Sequence, residues 1–459
     1  MVEEKQTDQN LVKVREDRDP VRLSSCANGT FRILSTTGWK KGEGEMLASI
    51  QELRKRVEPW LTALFQSEHL SLLVGTGLTA GACAVVKKES RADEIDGCKT
   101  RGMEVEERAF TNFGEEIDKV AEETAEDLGR GKRNFEDVIR VANELVRGLQ
   151  ILGRNEEAES LDSEIRKKLN ALAKDLLANE KVLRDDGDGE SWKLLGNFLM
   201  SFAARSGGKD RLNLFTTNYD RVLEETADVI GLRLVDRFVG TLAPVFRSSR
   251  LDVDYHYNPP GIRGEPRYLE GVVRFTKLHG SLDWFKCGGL IRRLGVPFGA
   301  FEVAPYLENG DSSNKHELII YPNSAKDRET AEYPYVDLFR DFAAAICRPN
   351  STLVTYGYGF GDSHINRIIE DALTIASTHL VILSYDNADG RICSFYEKSR
   401  AKSQISLLVG KDVASLEALT GHYLPKSAID TATDRMAKML ADRHGLDVES
   451  DHSAPGGND

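Results

Sequence analysis

The chain has 459 residues, which is long enough for two or three domains or for one large domain with a substantial insertion. Hydrophobic residues make up 40% of it and charged residues 29%, and it contains no uninterrupted apolar run of membrane-spanning length. The net charge of −13 argues against broad, nonspecific attraction to nucleic acid or to acidic membranes. The charged N-terminus, MVEEKQTDQNLVKVREDRDP, lacks the apolar core of a signal peptide. We therefore expect a cytoplasmic protein that binds neither membranes nor nucleic acid directly.

The cysteines of the chain are widely scattered, and no CxxC pair occurs. Neither a zinc ribbon nor a disulfide framework is predicted, so we expect no metal and free, mostly buried thiols. The six positions are Cys26, Cys83, Cys98, Cys287, Cys347 and Cys393.

Several short apolar runs are rich in β-branched residues and end in glycine or polar residues. Because they are apolar almost throughout rather than alternating, they predict strands buried on both faces of a parallel sheet. Helical patterns follow several of them, so the predicted fold is α/β, a Rossmann-like doubly wound parallel sheet. The predicted strands are 70–77, 212–218, 272–280, 317–323, 352–361 and 379–386.

The alternation of strands and helices is interrupted by a glutamate-rich, proline-poor stretch with helical periodicity, which predicts a large helical insertion. A later irregular stretch, 241–270, predicts a long loop. The predicted organisation is an N-terminal segment at 1–45, a Rossmann-like domain at 46–84 and 211–390, the helical insertion at 85–210, a C-terminal extension at 391–445 and a disordered tail at 446–459.

The first predicted strand ends in Gly75-Thr76-Gly77-Leu78-Thr79. Glycines at a turn from strand to helix let the backbone approach a phosphate, and the helix N-terminus then offers unpaired N–H groups. The full GxGxxG pattern is absent, and such turns also occur wherever a strand meets a helix tightly. Nucleotide binding and a simple tight turn both remain open from this stretch alone.

The second predicted strand ends in TTNYD, with Asn218 and Asp220 at its tip. Ligands of parallel α/β sheets bind beyond the carboxyl ends of the strands. An Asn amide can orient a water molecule or a ribose hydroxyl, and a carboxylate can stabilise positive charge developing on a sugar. The alternative is that Asp220 only caps the helix that follows.

Two further turns carry polar side chains at the same predicted edge of the sheet. His279 ends the strand in KLHGSLDW, where it is well placed to act as a general base near neutral pH. In YGYGFGDSHINRII a second glycine-rich turn precedes a helix that Asp362 is placed to cap. Each feature alone has a structural explanation, but together they indicate one site.

The same motifs, in this order, resemble those of sirtuin-like domains. The resemblance is closest to the bacterial branch that hydrolyses NAD in anti-phage defence, whose late motif is similar to GYGFGDSHINRII here. It covers about 70–84 and 211–386. The stretches that carry it are Gly75-Thr76-Gly77-Leu78-Thr79, Thr217-Asn218-Tyr219-Asp220, Lys277-Leu278-His279-Gly280-Ser281 and Gly357-Tyr358-Gly359-Phe360-Gly361-Asp362.

The resemblance implies that NAD is the substrate and that His279 is the catalytic base, with Asn218 and Asp220 around the nicotinamide ribose. It implies that residues of the first turn hold the NAD phosphates and that the 357–362 turn holds the adenosine side. The implied NAD-binding residues are Gly75, Thr76, Gly77, Thr79, Thr217, Ser281, Gly357, Phe360, Gly361 and Asp362.

The sequence departs from protein-deacylating sirtuins, which usually carry four zinc cysteines between the later motifs. Only Cys287 and Cys347 lie in the comparable region. The resemblance therefore favours NAD hydrolysis over NAD-dependent deacylation. A non-catalytic module that binds NAD or ADP-ribose is the third alternative.

The resemblance also implies regulation, because a cytoplasmic NAD hydrolase that is always active would be toxic. Related subunits work with a sensor such as a HerA-like ATPase or an Argonaute-related protein. The chain has no GxxxxGK[ST] motif, so an ATPase partner would be a separate polypeptide. We expect a homo-oligomer or a complex with such a partner.

Overall fold

The computed structural model describes residues 9–14, 17–26, 29–35, 39, 47–90, 110–127, 132–187, 189–205, 209–249, 253–257, 267–287, 289–307, 317–320 and 333–425. The predicted disordered tail at 446–459 and the last part of the predicted C-terminal extension lie outside the described residues.

The described strands form a central sheet of eleven strands, a second sheet of five and a two-stranded ribbon. In chain order they are β1 Gln9–Lys13, β2 Val21–Cys26, β3 Thr30–Ile33, β4 Leu47–Ser49, β5 His69–Val74, β6 Leu212–Thr216, β7 Arg233–Val235, β8 Phe238–Val239, β9 Val245–Phe246, β10 His256–Tyr257, β11 Arg267–Tyr268, β12 Val272–Lys277, β13 Gly280–Cys287, β14 Leu290–Arg293, β15 Glu317–Ile320, β16 Ser351–Tyr356, β17 His379–Ser384 and β18 Ile405–Val409.

The central sheet has the order β4-β3-β2-β1-β18-β17-β16-β5-β6-β12-β7. The seven strands from β18 to β7 are parallel, and β1 to β4 continue the sheet with antiparallel pairing. The chain leaves β5 towards β6 on one side and later returns to β16 on its other side. The crevice beyond the carboxyl ends of β5 and β16 is therefore the topological switch point, where open α/β sheets bind ligands.

The described helices cover both faces of the parallel strands or belong to the predicted insertion. They are α1 Ile50–Phe65, α2 Gly77–Ser90, α3 Gly114–Asp127, α4 Phe135–Ile151, α5 Asn155–Arg184, α6 Glu190–Ala203, α7 Val222–Ile230, α8 Ala304–Leu307, α9 Tyr335–Ile346, α10 Ser363–Leu373, α11 Arg391–Lys398, α12 Lys411–Ala414 and α13 Leu416–Ala418. Within the described ranges, every helix is too short or too polar to cross a lipid bilayer.

Alternate side chains of the parallel strands enter two separate hydrophobic cores. Leu72 and Val354 lie in the core shared with α1, α2, α6 and α7, whereas Leu73 and Leu353 lie in the core shared with α9, α10 and α11. Strands buried on both faces need apolar residues throughout, so they appear in the sequence as continuous apolar runs. The predicted α/β class is confirmed.

One predicted strand lies elsewhere. Glu317–Ile320 pairs antiparallel with β13 in the second sheet, which has the order β15-β13-β14-β9-β8, so its placement in the parallel sheet was wrong. A short apolar run fixes neither its partner nor its direction, because both depend on tertiary contacts. Residues 321–323 of this prediction lie outside the described residues.

The central sheet continues beyond residue 390 and includes strands from the N-terminal segment. β18 extends the parallel array beside β17, and β1 pairs with β18. The buried Lys13 amine donates to the carbonyl oxygens of Lys402 at 3.0 Å and Ile405 at 2.9 Å, so it ties the N-terminal strand to the turn before β18. At least these parts of the two flanking segments belong to the same folding unit as the parallel strands.

No disulfide joins the described cysteines, as expected. Only Cys83 is fully buried, and the other four are half-buried, so the expectation of mostly buried thiols was too strong. Cys98 lies outside the described residues.

His379 at the start of β17 makes the fold sensitive to acid. Its Nε2 atom lies 2.9 Å from the Ser406 hydroxyl, which also accepts a hydrogen bond from the Trp60 indole at 2.8 Å. Burial, assisted by the positive charge of Lys13, lowers the pKa of His379 from 6.5 to about 4. The unfolded chain therefore binds a proton more tightly than the folded one between these values.

We expect the free energy of unfolding to fall by about 3 kcal/mol from this residue as the pH drops from 6.5 to below 4. Urea unfolding at pH 7 and pH 4.5, on the wild type and on His379→Gln, measures the effect. Between pH 7 and pH 4.5, the free energy of unfolding should fall by about 2 to 3 kcal/mol less in the variant than in the wild type. An equal loss in both proteins would contradict the assignment.

Candidate active site

The two glycine-rich turns at the switch point are packed directly against each other. Gly75 donates its N–H to the carbonyl of Tyr356 at 2.9 Å, and Gly77 donates to that of Gly357 at 3.1 Å. A Cβ atom added at Gly75 would lie 2.4 Å from the Gly357 carbonyl oxygen, and one added at Gly77 would lie 2.6 Å from the Gly357 Cα. The contact between the turns therefore already requires these glycines, whatever they bind.

The strand tip after β6 meets the first turn of α2 through a chain of hydrogen bonds. The Asn218 side-chain amide donates to the Thr79 hydroxyl at 3.4 Å, and that hydroxyl donates to Asp220 Oδ2 at 2.9 Å. Asn218 is only 2% exposed, and its Oδ1 atom is buried with no hydrogen-bond partner among the described residues. A buried acceptor without a donor is costly, so this oxygen is a candidate contact for a ligand.

Asp220 is 5% exposed and has a structural partner on each carboxylate oxygen. Besides the Thr79 contact, its Oδ1 atom accepts from the N–H of Val222 at 3.2 Å, at the start of α7. Burial raises the pKa of the Asp220 carboxyl, although the Lys277 ammonium and the Thr79 hydroxyl oppose the rise. The Lys277 ammonium also donates to the Asp220 carbonyl oxygen. Asp220 thus contributes to the start of the helix, and its catalytic role stays a prediction.

His279 follows β12 and faces the second turn. Its Nε2 atom lies 3.0 Å from Asp362 Oδ2, and its side chain is 16% exposed. The other oxygen of Asp362 accepts from the N–H groups of His364 at 2.8 Å and Ile365 at 3.2 Å, so Asp362 caps α10 as predicted. This cap fixes the carboxylate in place, and Asp362 in turn orients the imidazole. Its predicted contact with adenosine stays a prediction.

The remaining residues implied in NAD binding lie around these two groups. Thr217 donates its N–H to the Val74 carbonyl at 3.1 Å, and the buried Ser281 hydroxyl donates to the Tyr219 carbonyl at 3.3 Å. Thr76 is exposed in the first turn.

In the second turn Phe360 has a positive φ of 52°. Its ring packs against Tyr358 and Phe395, at 4.9 Å and 4.6 Å between centroids. Its neighbour Gly361 is half-buried. These contacts shape the turn, and the NAD-binding roles of its residues stay predictions.

Two residues that the sequence did not single out complete the cluster. The Tyr219 hydroxyl donates to Glu136 Oε1 at 3.1 Å, and the same carboxylate oxygen lies 3.9 Å from His279 Nδ1. Tyr219 could have been found from its place between Asn218 and Asp220. Glu136 carries no such signal, because it belongs to the helical insertion, far from the motifs in sequence.

Residues 212–404 match the family described as SIR2-like domain. The match includes the strand tip after β6, His279 and the second turn, and it leaves out residues 75–79 and the helical insertion. It supports a sirtuin-like family and an NAD-related activity in general. No curated protein matches the chain.

Among the residues whose placement is described, no group of three or more His, Cys, Asp or Glu side chains is arranged to hold a metal ion.

Proposed function

We propose that the protein is an NAD⁺ hydrolase that cleaves the bond between nicotinamide and ribose. The observation that supports this most is the set of polar groups at the switch point of a SIR2-like domain. There the buried Oδ1 atom of Asn218 has no hydrogen-bond partner among the described residues, and His279 is oriented by the fixed carboxylate of Asp362.

Two features of the site suit the binding of NAD, one for its pyrophosphate and one for a ribose hydroxyl. The first turn of α2 lies beside the switch point, and a helix N-terminus favours a negatively charged pyrophosphate. The buried Oδ1 atom of Asn218 suits a ribose hydroxyl or a water molecule as donor. The glycines support this only indirectly, because their lack of a side chain is needed where the two turns meet.

The reaction that we propose uses water as the second substrate. The electron pair of the scissile bond moves to the ring nitrogen of nicotinamide, and the ribose carbon takes on positive charge. Asn218 positions the attacking water or the ribose hydroxyl, and His279 accepts the proton and passes it to solvent. NAD⁺ and water thus give nicotinamide, ADP-ribose and one proton. General base catalysis of this kind contributes roughly 10²–10⁴-fold to the rate.

We propose a defence role in which activation depletes cellular NAD. The burial of Asn218 and Asp220 supports regulation, since a substrate as large as NAD needs the site to open. Self-assembly, or a separate partner such as a HerA-like ATPase, is the proposed trigger of that opening.

The test of this function is nicotinamide release from NAD with and without an acetylated lysine peptide, at high protein concentration. Release that does not depend on the peptide supports the hydrolase. Release only with the peptide would show a deacylase instead. Tight binding of ADP-ribose without turnover in either reaction would point to a binding module.

A further inference from the structure

The helical insertion reaches the candidate base directly. Glu136 lies in the first turn of α4, and its Oε1 atom is 3.9 Å from His279 Nδ1. The two side chains are 19% and 16% exposed, so both are largely shielded from water. Charged groups at this distance interact more strongly where water is partly excluded.

The position of Glu136 is fixed locally. Asn134 and Asp137 form a capping box at the start of α4, with hydrogen bonds of 2.9 Å and 3.2 Å between side chain and backbone. Such a box defines the first turn of a helix. The Tyr219 hydroxyl, which comes from the strand tip of the SIR2-like domain, then binds the Glu136 carboxylate.

The insertion is also anchored to the same strand tip at a second point. Glu180 of α5 is fully buried and pairs with Arg221 at 2.6 Å, and it accepts from the N–H of Gly299 at 3.0 Å. Leu172 and Leu177 of α5 lie in one hydrophobic cluster with Tyr219. Loss of one partner of a buried ion pair leaves the other charge buried and strongly destabilises the folded protein. The insertion is therefore firmly attached to the strand tip.

The two nitrogens of His279 therefore face two carboxylates from different parts of the fold. Asp362 faces Nε2 at hydrogen-bond distance, which favours the tautomer with its proton on Nε2 and its lone pair on Nδ1. The gap of 3.9 Å between Nδ1 and Glu136 is too long for a direct hydrogen bond. It suits a water molecule, which has two protons and can donate one to each group.

We propose that Glu136 is a positioning residue of the active site, and that the helical insertion is thereby part of the catalytic unit. Glu136 holds the reacting water beside Nδ1 of His279 by accepting its second proton in a hydrogen bond, and it stabilises the imidazolium formed when Nδ1 takes the first. This inference rests on the proposed hydrolysis, and it adds a residue that lies outside the SIR2-like match.

Glu136→Gln tests it with little change in shape, because the amide oxygen can still accept from Tyr219. We expect kcat for nicotinamide release to fall about tenfold to 100-fold, with KM for NAD changed less than about threefold. The pH at half-maximal kcat should move to lower pH by about half a unit to one unit, since a negative charge that faces His279 is then removed. Glu144→Gln, an exposed position on the same helix, is the matched control and should leave both values unchanged.

A second readout does not require activity. With ¹³C-labelled histidine, the titration midpoint of the His279 imidazole is followed by NMR, and His279→Gln assigns its signal. We expect the midpoint to be lower in Glu136→Gln than in the wild type and in Glu144→Gln, at equal melting temperatures. An inactive wild type with this shift would count against NAD hydrolysis by the chain alone while supporting the Glu136–His279 contact. An unshifted midpoint, or a variant with wild-type or higher kcat, would overturn the inference.

Discussion

We expect His279→Gln to lower kcat for the proposed NAD hydrolysis by about 10²–10⁴-fold and to leave binding of ADP-ribose nearly unchanged. Glutamine keeps a polar group that can contact Asp362, but it cannot accept a proton near neutral pH. Because His279 lies at the edge of the buried cluster rather than in a hydrophobic core, the fold should tolerate the change. Nicotinamide release under single-turnover conditions and calorimetric titration with ADP-ribose measure the two quantities.

The matched control for this variant is His256→Gln. His256 is an exposed histidine on the two-stranded ribbon and should behave as the wild type. Wild-type turnover in His279→Gln would contradict the assignment of the base. Loss of ADP-ribose binding by more than about tenfold would instead make His279 a binding residue.

Gly357→Ala is expected to lower the free energy of unfolding by about 3 to 5 kcal/mol. The φ angle of Gly357 is +60°, a left-handed conformation that costs alanine roughly 1 kcal/mol or more. Its new Cβ atom would also lie 2.6 Å from the Gly77 Cα, where neither backbone can yield without separating the two turns. Chemical and thermal unfolding of the purified variant measure the loss.

Gly359→Ala in the same turn is the control for that substitution. Its nearest neighbours would be the far end of the Arg391 side chain at 3.3 Å and the Ala388 Cβ at 3.6 Å. We expect a change within about 1 kcal/mol. If Gly357→Ala were as stable as Gly359→Ala, the close contact of the two turns would be disproved.

Much of this arrangement could be predicted from the sequence. Continuous apolar runs predict buried parallel strands, and the glycine and polar residues that follow them predict where the strands end. The apolar runs at 70–77 and 352–361 correctly predicted the strands β5 and β16, and the two turns that follow these strands meet at the switch point. The capping role of Asp362 was readable from its place before a helical pattern. These features depend on residues close together in sequence.

Contacts between distant segments could not be predicted in the same way. Nothing in the sequence around Glu136 distinguishes it from other glutamates of a charged helix, and only the packing of α4 brings it to His279. The antiparallel pairing of Glu317–Ile320 and the addition of β1 to β4 to the central sheet also depend on tertiary contacts. The close contact of Gly75 with Gly357 is a further example. It explains why the first turn needs a glycine, and the sequence alone did not reveal it.

Product analysis tests most directly whether the polar strand tips form a site that hydrolyses NAD. NAD is incubated with the wild type and with Asn218→Ala at high protein concentration, and nicotinamide, ADP-ribose and cyclic products are resolved by chromatography. We predict equal amounts of nicotinamide and ADP-ribose from the wild type, and a loss of at least about 100-fold in the variant. Equal release by both proteins would contradict the claim.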